Sequence, residues 1–233
     1  TADRRAIALD NRTGEVVWDV PASDLQANQG PGPGINGAPL VVKDKVIFGL
    51  GGCNQVKGGC NITAFNTETG KVEWRFNTIA RTGEPGGDTW NGAPDDERFG
   101  NSVWTGPTYD PELNLVYVGT AQTYNAATLV TVRPGASGLS KNDGLYSNTT
   151  LALNPDTGKL IWHYQHFNAE VWDLDWSFER TLMTLKVDGK AVQTVRMERT
   201  LPALMRREGV DMWVVPMREY AEDPVFTAIT SPE

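Results

Sequence analysis

Two carboxylates, Asp173 and Asp175, stand two residues apart in Val171-Trp172-Asp173-Leu174-Asp175. In an extended segment, residues i and i+2 share a side, so both acids point the same way. Hard cations take oxygen ligands, and a paired acid of this kind suits one. A solvated loop or a turn is the plainer alternative. A second candidate is Cys53 and Cys60, which bracket the Gly-rich stretch from Gly51 to Gly59. A loop of this length can close into a disulfide, which implies an oxidising compartment; two free thiols are the alternative. A zinc site is disfavoured, because only His163 and His166 could help and both are far from the cysteines in sequence.

The elements that must position these residues repeat. Ala8-Leu9-Asp10-Asn11-Arg12-Thr13-Gly14-Glu15-Val16-Val17-Trp18 returns as Ala64 to Trp74 and again as Ala152 to Trp162. Each copy reads as strand, polar turn, strand, with a Gly where the chain needs φ > 0. Each ends on a Trp that so small a unit cannot bury, so a neighbouring unit must cover it. Hairpins are also expected at 39–49, 108–119 and 182–195, the last around Asp188-Gly189. The 88 residues from Gly70 to Gly158 leave room for an insertion, which Thr78 to Asn101 supplies. Short strands, regular punctuation and a recurring Trp predict an all-β chain, a partial β-propeller of three to four blades, over residues 1–195; a sandwich is the runner-up.

After Val195 the pattern changes. Met197, Leu201, Leu204 and Met205 share one helical face, Gly209 follows as a C-cap, and Val210 to Pro216 reads as a buried strand. This predicts a short α/β tail, 196–233, beyond a boundary near Val195. The chain has 233 residues, 39% of them hydrophobic and 21% charged, which excludes disorder by composition. No apolar run approaches the ~18 residues of a membrane span. The net charge of −8, with no basic cluster interleaved with aromatics, argues against nucleic acid. The opening Thr1-Ala2-Asp3-Arg4-Arg5 reads as the middle of a strand–turn unit, so further residues are expected upstream.

Several motifs carry a family resemblance. Besides the repeated phrase they are Thr82 to Trp90, Ser102-Val103-Trp104, Tyr109 to Leu115 and Val171 to Asp175, in this order. Residues 1–195 resemble an internal slice of the pyrroloquinoline-quinone (PQQ) dependent alcohol dehydrogenases, eight-bladed quinoprotein propellers in which the phrase is the tryptophan docking repeat. The tail, through Leu201 to Trp213 and Arg218 to Phe226, resembles the N-terminal, creatinase-like domain of Xaa-Pro peptidases. That family's metal ligands lie in a later domain, so the likeness implies no peptidase activity, only a foreign segment joined to a truncated propeller.

The quinoprotein resemblance implies an enzyme that passes a hydride from an alcohol, polyol or sugar hydroxyl to PQQ, with a base for the hydroxyl proton and a cation, Ca²⁺ or a lanthanide, on the quinone carbonyl. It implies Asp173 as base and metal ligand, and Asp175 as the second acid that accompanies lanthanide use. It aligns Gln122 with an Asn ligand, and Asn54 or Gln55 with a Glu ligand. It implies Trp104 as the indole stacked beneath the quinone, with Ser102 and Asn36 hydrogen-bonding the cofactor. It also implies a periplasmic location and a cytochrome c or quinone as electron acceptor. Trp18, Trp74 and Trp162 are read as packing between blades, and Trp90 and Trp172 as structural or pocket-lining. The competing reading is a non-catalytic propeller that scaffolds proteins. Three or so blades cannot close a ring, so the isolated chain is expected to be inactive, marginally stable and prone to associate.

Overall fold

A computed structural model describes residues 4–25, 32–170, 172–187 and 190–194. The boundary near Val195 and the tail's helix and strand lie outside these residues. The chain forms two compact units, Thr1–Leu182 and Met183–Glu233. The first unit holds β1 (Arg5–Leu9), β2 (Val16–Pro21), β3 (Leu40–Val42), β4 (Lys45–Gly49), β5 (Asn61–Asn66), β6 (Val72–Asn77), β7 (Thr108–Asp110), β8 (Leu115–Gly119), β9 (Thr149–Leu153) and β10 (Leu160–Gln165). They make an antiparallel pair β1-β2 and two four-stranded antiparallel sheets, β3-β4-β5-β6 and β7-β8-β9-β10. In the second unit β11 (Met183–Val187) pairs antiparallel with β12 (Lys190–Thr194). The architecture is all-β, a partial propeller.

Each repeat folds by the same local rules. Asp10, Asn66 and Asn154 open the three turns. The Oδ1 of each accepts the N–H groups two and three residues on: Arg12 and Thr13 at 2.9 and 2.7 Å, Glu68 and Thr69 at 3.1 and 3.0 Å, Asp156 and Thr157 at 2.9 and 3.1 Å. The two backbone donors on Asp10 hold its carboxyl below the usual range. The turns close at Gly14, Gly70 and Gly158, with φ of 75°, 67° and 70°. The return strand then carries one extra residue. Leu9 faces Val16 but Ala8 faces Trp18; Phe65 faces Val72 but Ala64 faces Trp74; Leu153 faces Leu160 but Ala152 faces Trp162. Such a bulge adds twist and re-aims the side chain that follows it.

The re-aimed indoles meet the next repeat. Trp18 Nε1 donates to Thr67 O and Trp74 Nε1 to Pro155 O, both at 2.8 Å. In both cases the acceptor is the fourth residue of the following phrase, and the ring lies on its seventh, a glycine. A Cβ on Gly70 would come within 2.8 Å of Trp18 Cδ2, and one on Gly158 within 2.6 Å of Trp74 Cδ2. At Gly14, where no indole rests, a Cβ would meet nothing within 4 Å. Trp162 packs on Tyr117 of its own sheet, ring centroids 5.7 Å apart.

Burial follows this stacking. The middle sheet is covered on both faces. Ile47, Ile62, Ala64 and Trp74 pack with Val116, Val118, Leu151 and Leu153 on one side, and Phe48 and Phe65 pack with Ala6 and Ala22 on the other. The outer strands of the row leave Leu9, Val16 and Ile161 more than half exposed, at 58%, 59% and 55%. The insertion after β6 is pinned by Arg98, only 2% exposed, whose guanidinium donates to Ala80 O and Ala93 O. Trp90, fully buried, donates Nε1 to Leu145 O. The edge strands of the two large sheets meet, β3 beside β7, and a Cβ on Gly37 would strike the Thr105 carbonyl carbon at 2.6 Å. Cys53 and Cys60, both fully buried, are joined by a disulfide with a Cα–Cα distance of 5.4 Å.

Two predictions follow from this packing. Gly14→Ala costs only the left-handed backbone term, about 1 kcal/mol. Gly158→Ala adds overpacking against Trp74, about 1–3 kcal/mol more; urea unfolding of both variants reads the difference. Removing the disulfide as Cys53→Ala with Cys60→Ala lowers unfolding stability by about 2–3 kcal/mol, and thiol titration of the native chain finds no reactive thiol.

Candidate functional site

The insertion ends by threading residues 100–104 between two strand ends. On one side Gly100 N–H donates to Cys53 O (3.1 Å), Cys53 N–H to Ser102 Oγ (3.0 Å) and Val103 N–H to Leu50 O (2.6 Å). On the other, Asn101 N–H donates to Gln122 O (3.0 Å) and Ala121 N–H to Ser102 O (2.9 Å). Gly100, at φ 97°, allows this approach; a Cβ there would lie 2.7 Å from Thr123 Cα. The loop after β10 then comes alongside. Ser177 Oγ donates to Gly119 O and accepts Trp104 N–H, both at 3.2 Å, and Thr105 Oγ1 donates to Ser177 O. Segments 50–53, 100–104, 119–122 and 173–177 thus lie side by side at the inner ends of the sheets.

This places Gln122 against the acid pair. Its Nε2 donates to Asp173 Oδ1. Asp173 is exposed and adopts φ 66°, a left-handed conformation costly for a side chain with a Cβ. Gln122 is 2% exposed, and its buried Oε1 has no hydrogen-bond partner. Asp175 is half-buried, and its Oδ1 is likewise buried without a partner. Burial first, then the charges of Asp173 and Glu170, push the Asp175 carboxyl up to about 6, against a smaller pull from Gln122. Among the described residues, no Lys or Arg forms an ion pair with Glu170, Asp173 or Asp175. Two orphaned oxygens beside uncompensated carboxylates are the donor set a hard cation takes. Among the described residues no group of three or more His, Cys, Asp or Glu side chains could hold a metal by itself.

The other expected site residues divide. Ser102 is buried and joined to Cys53. Trp104 is half-buried, and its ring stacks on no other aromatic ring among the described residues. Asn36 is exposed with its amide against Gly51; a Cβ there would come within 2.9 Å of Asn36 Cγ. Asn54 and Gln55 are exposed on the disulfide loop.

Two residues escaped the sequence reading. Tyr124 stands two positions after Gln122, the spacing that puts both on one side of an extended segment. Its phenol is pushed up to about 12 by burial and by Asp175 and Asp173. Glu170, three residues before Asp173, is 2% exposed. Trp172, adjoining the acid, is 72% exposed.

Comparison with known proteins agrees with this arrangement. The sequence matches the family described as PQQ, glucose/ethanol/alcohol dehydrogenase, β-propeller domain, over residues 1–232. The match runs through residues 196–232, the tail expected from the sequence to be a foreign segment. The chain is 38% identical over 205 residues to the quinohemoprotein alcohol dehydrogenase ADH IIB of Pseudomonas putida, covering 82% of this chain and 27% of that protein. It is 36% identical over 214 residues to the lanthanide-dependent methanol dehydrogenase of Methylacidiphilum fumariolicum, covering 82% of this chain and 32% of that one. The solved structure of quinohemoprotein alcohol dehydrogenase ADHIIG from Pseudomonas putida HK5 superposes with a TM-score of 0.65 at 31% identity, covering 81% of this chain and 28% of that one. The chain thus spans between a quarter and a third of the length of these relatives. With the repeated blades, the threaded 100–104 segment and the Gln122–Asp173 contact already in place, the chain belongs to the PQQ glucose/ethanol/alcohol dehydrogenase β-propeller family.

Proposed function

We propose that this chain supplies the acid and cation sector of a periplasmic PQQ-dependent dehydrogenase that oxidises an alcohol, polyol or sugar hydroxyl. The observation that carries the reading is the Gln122 side chain. It donates to Asp173 while leaving its own buried carbonyl oxygen unpaired beside Asp175. When bound, PQQ accepts the hydride that leaves the alcohol carbon, and the cation polarises the quinone carbonyl. Gln122 Oε1, Asp175 Oδ1 and the Asp173 carboxylate are the oxygens that would hold the cation. The Gln122 N–H bonds Asp173 Oδ1, which leaves the other carboxylate oxygen as the one that would take the hydroxyl proton. Trp104 offers its ring as the platform beneath the quinone. Ser102 offers a hydroxyl hydrogen, since its oxygen already accepts Cys53 N–H, and Asn36 offers its exposed amide.

Because Asn54 and Gln55 are neutral and exposed, the charge of the site rests on the acid loop rather than on the disulfide loop. The buried disulfide supports an oxidising compartment. The quinohemoprotein relatives support a haem protein or a quinone as electron acceptor. Residues 1–195 are read as propeller and 196–233 as a foreign segment. The tail's helix-then-strand grammar supports that division, and the family match through residue 232 weighs against it.

In the intact parent enzyme, Asp173→Asn should lower kcat by about 10²–10⁴-fold while leaving PQQ binding in place; dye-linked turnover and cofactor absorbance measure the two. The isolated chain, supplied with PQQ and either Ca²⁺ or a light lanthanide, should show no turnover. Turnover by the isolated chain would contradict the requirement for the remaining blades.

A further inference from the structure

Glu170 is a buried acid with no role in the reaction described above. We propose that it is a positioning carboxylate for the cation site: it pins the loop carrying Asp173 and Asp175 and sets a fixed negative charge behind them. The proposal rests on the reading of Gln122, Asp173 and Asp175 as cation ligands.

A carboxylate this buried is costly unless its oxygens are bonded. Both are engaged. Oε1 accepts the Trp172 N–H, and Oε2 faces Asn148 Nδ2 at 3.4 Å. Asn148 is fully buried at φ 47°; its N–H donates to Ala121 O at 3.1 Å and its carbonyl accepts His166 N–H at 2.8 Å. Bonds therefore run from Ala121, the residue before Gln122, through Asn148 and Glu170 to Trp172, the residue before Asp173. The Gln122–Asp173 contact closes the circuit. Glu170 is the link that fixes where the acid loop stands relative to Gln122. It also bears on the site electrostatically, since its charge and that of Asp173 both act on Asp175. No Lys or Arg among the described residues forms an ion pair with it.

The test uses the full chain and Tb³⁺, whose emission is excited through nearby aromatic rings such as Trp172 and Tyr124, with Ca²⁺ measured by competition. Glu170→Gln keeps the size of the side chain and removes its charge. It should weaken Tb³⁺ binding by at least about tenfold, as loss of a second-layer partner does, with an unchanged circular dichroism spectrum. Coulomb energy scales with ion charge, so the loss in log affinity should be about 1.5 times larger for Tb³⁺ than for Ca²⁺; a purely structural role would weaken both ions equally. Glu170→Asp keeps the charge but shortens the arm, so affinity should fall while the preference for Tb³⁺ over Ca²⁺ stays as in the wild type. Wild-type affinity in Glu170→Gln, or equal losses for the two ions, would overturn the proposal. Asp175→Asn separates the two ideas. If Tb³⁺ binding ignores that change as well, the cation site itself is wrong and Glu170 falls with it. If Asp175→Asn weakens binding and Glu170→Gln does not, only the role of Glu170 is lost.

Discussion

The contact between an indole and the glycine of the next turn is the constraint on which the rest of this structure depends. Trp18 on Gly70 and Trp74 on Gly158 bury a large ring and satisfy its N–H in one step. Each phrase carries both halves of the lock, a glycine that receives and a tryptophan that inserts. With the sheets stacked in this way, segments 50–53, 100–104, 119–122 and 173–177 become neighbours although up to 127 positions separate them in the chain. Gln122 and Asp173 follow β8 and β10 of one sheet, so their contact is made within that sheet, and the stacking brings segment 50–53 of the neighbouring sheet alongside.

Much of the fold was legible because it is local. The turn glycines, their positive φ and the Asp or Asn that caps each turn are decided within a few residues, and so are the hairpins of β3-β4, β7-β8 and β11-β12. The extra residue before each Trp was not legible. Val17, Glu73 and Ile161 have nothing in common that marks a bulge, which becomes visible only against the partner strand. The course of the insertion was equally hidden, since it depends on Arg98 reaching Ala80 and Ala93 from a buried position.

The site was legible in part, and for a different reason. The Asp-x-Asp spacing hinted at a shared direction, but Gln122 entered only through a family resemblance. The sequence does not indicate that its amide would bridge to Asp173 across 51 positions. Asn54 and Gln55 entered by the same resemblance, and both are exposed on the disulfide loop. Glu170 was missed because nothing in the sequence marks a glutamate as buried, and Tyr124, 47% exposed, because its place near the two acids depends on the course of the loop after β8.

What emerges is a site with acceptors in excess. Asp173, Asp175 and the carbonyl of Gln122 lie together with no Lys or Arg among the described residues paired to either acid, an arrangement that suits a hard cation. The most direct test is an anomalous-scattering map of the intact parent protein crystallised with PQQ and either Ca²⁺ or a lanthanide. The account predicts a single cation peak within about 2.3–2.6 Å of Gln122 Oε1 and an Asp175 carboxylate oxygen, with the Trp104 ring flat against the quinone. A peak held by other residues, or a Trp104 ring turned away from the cofactor, would contradict it.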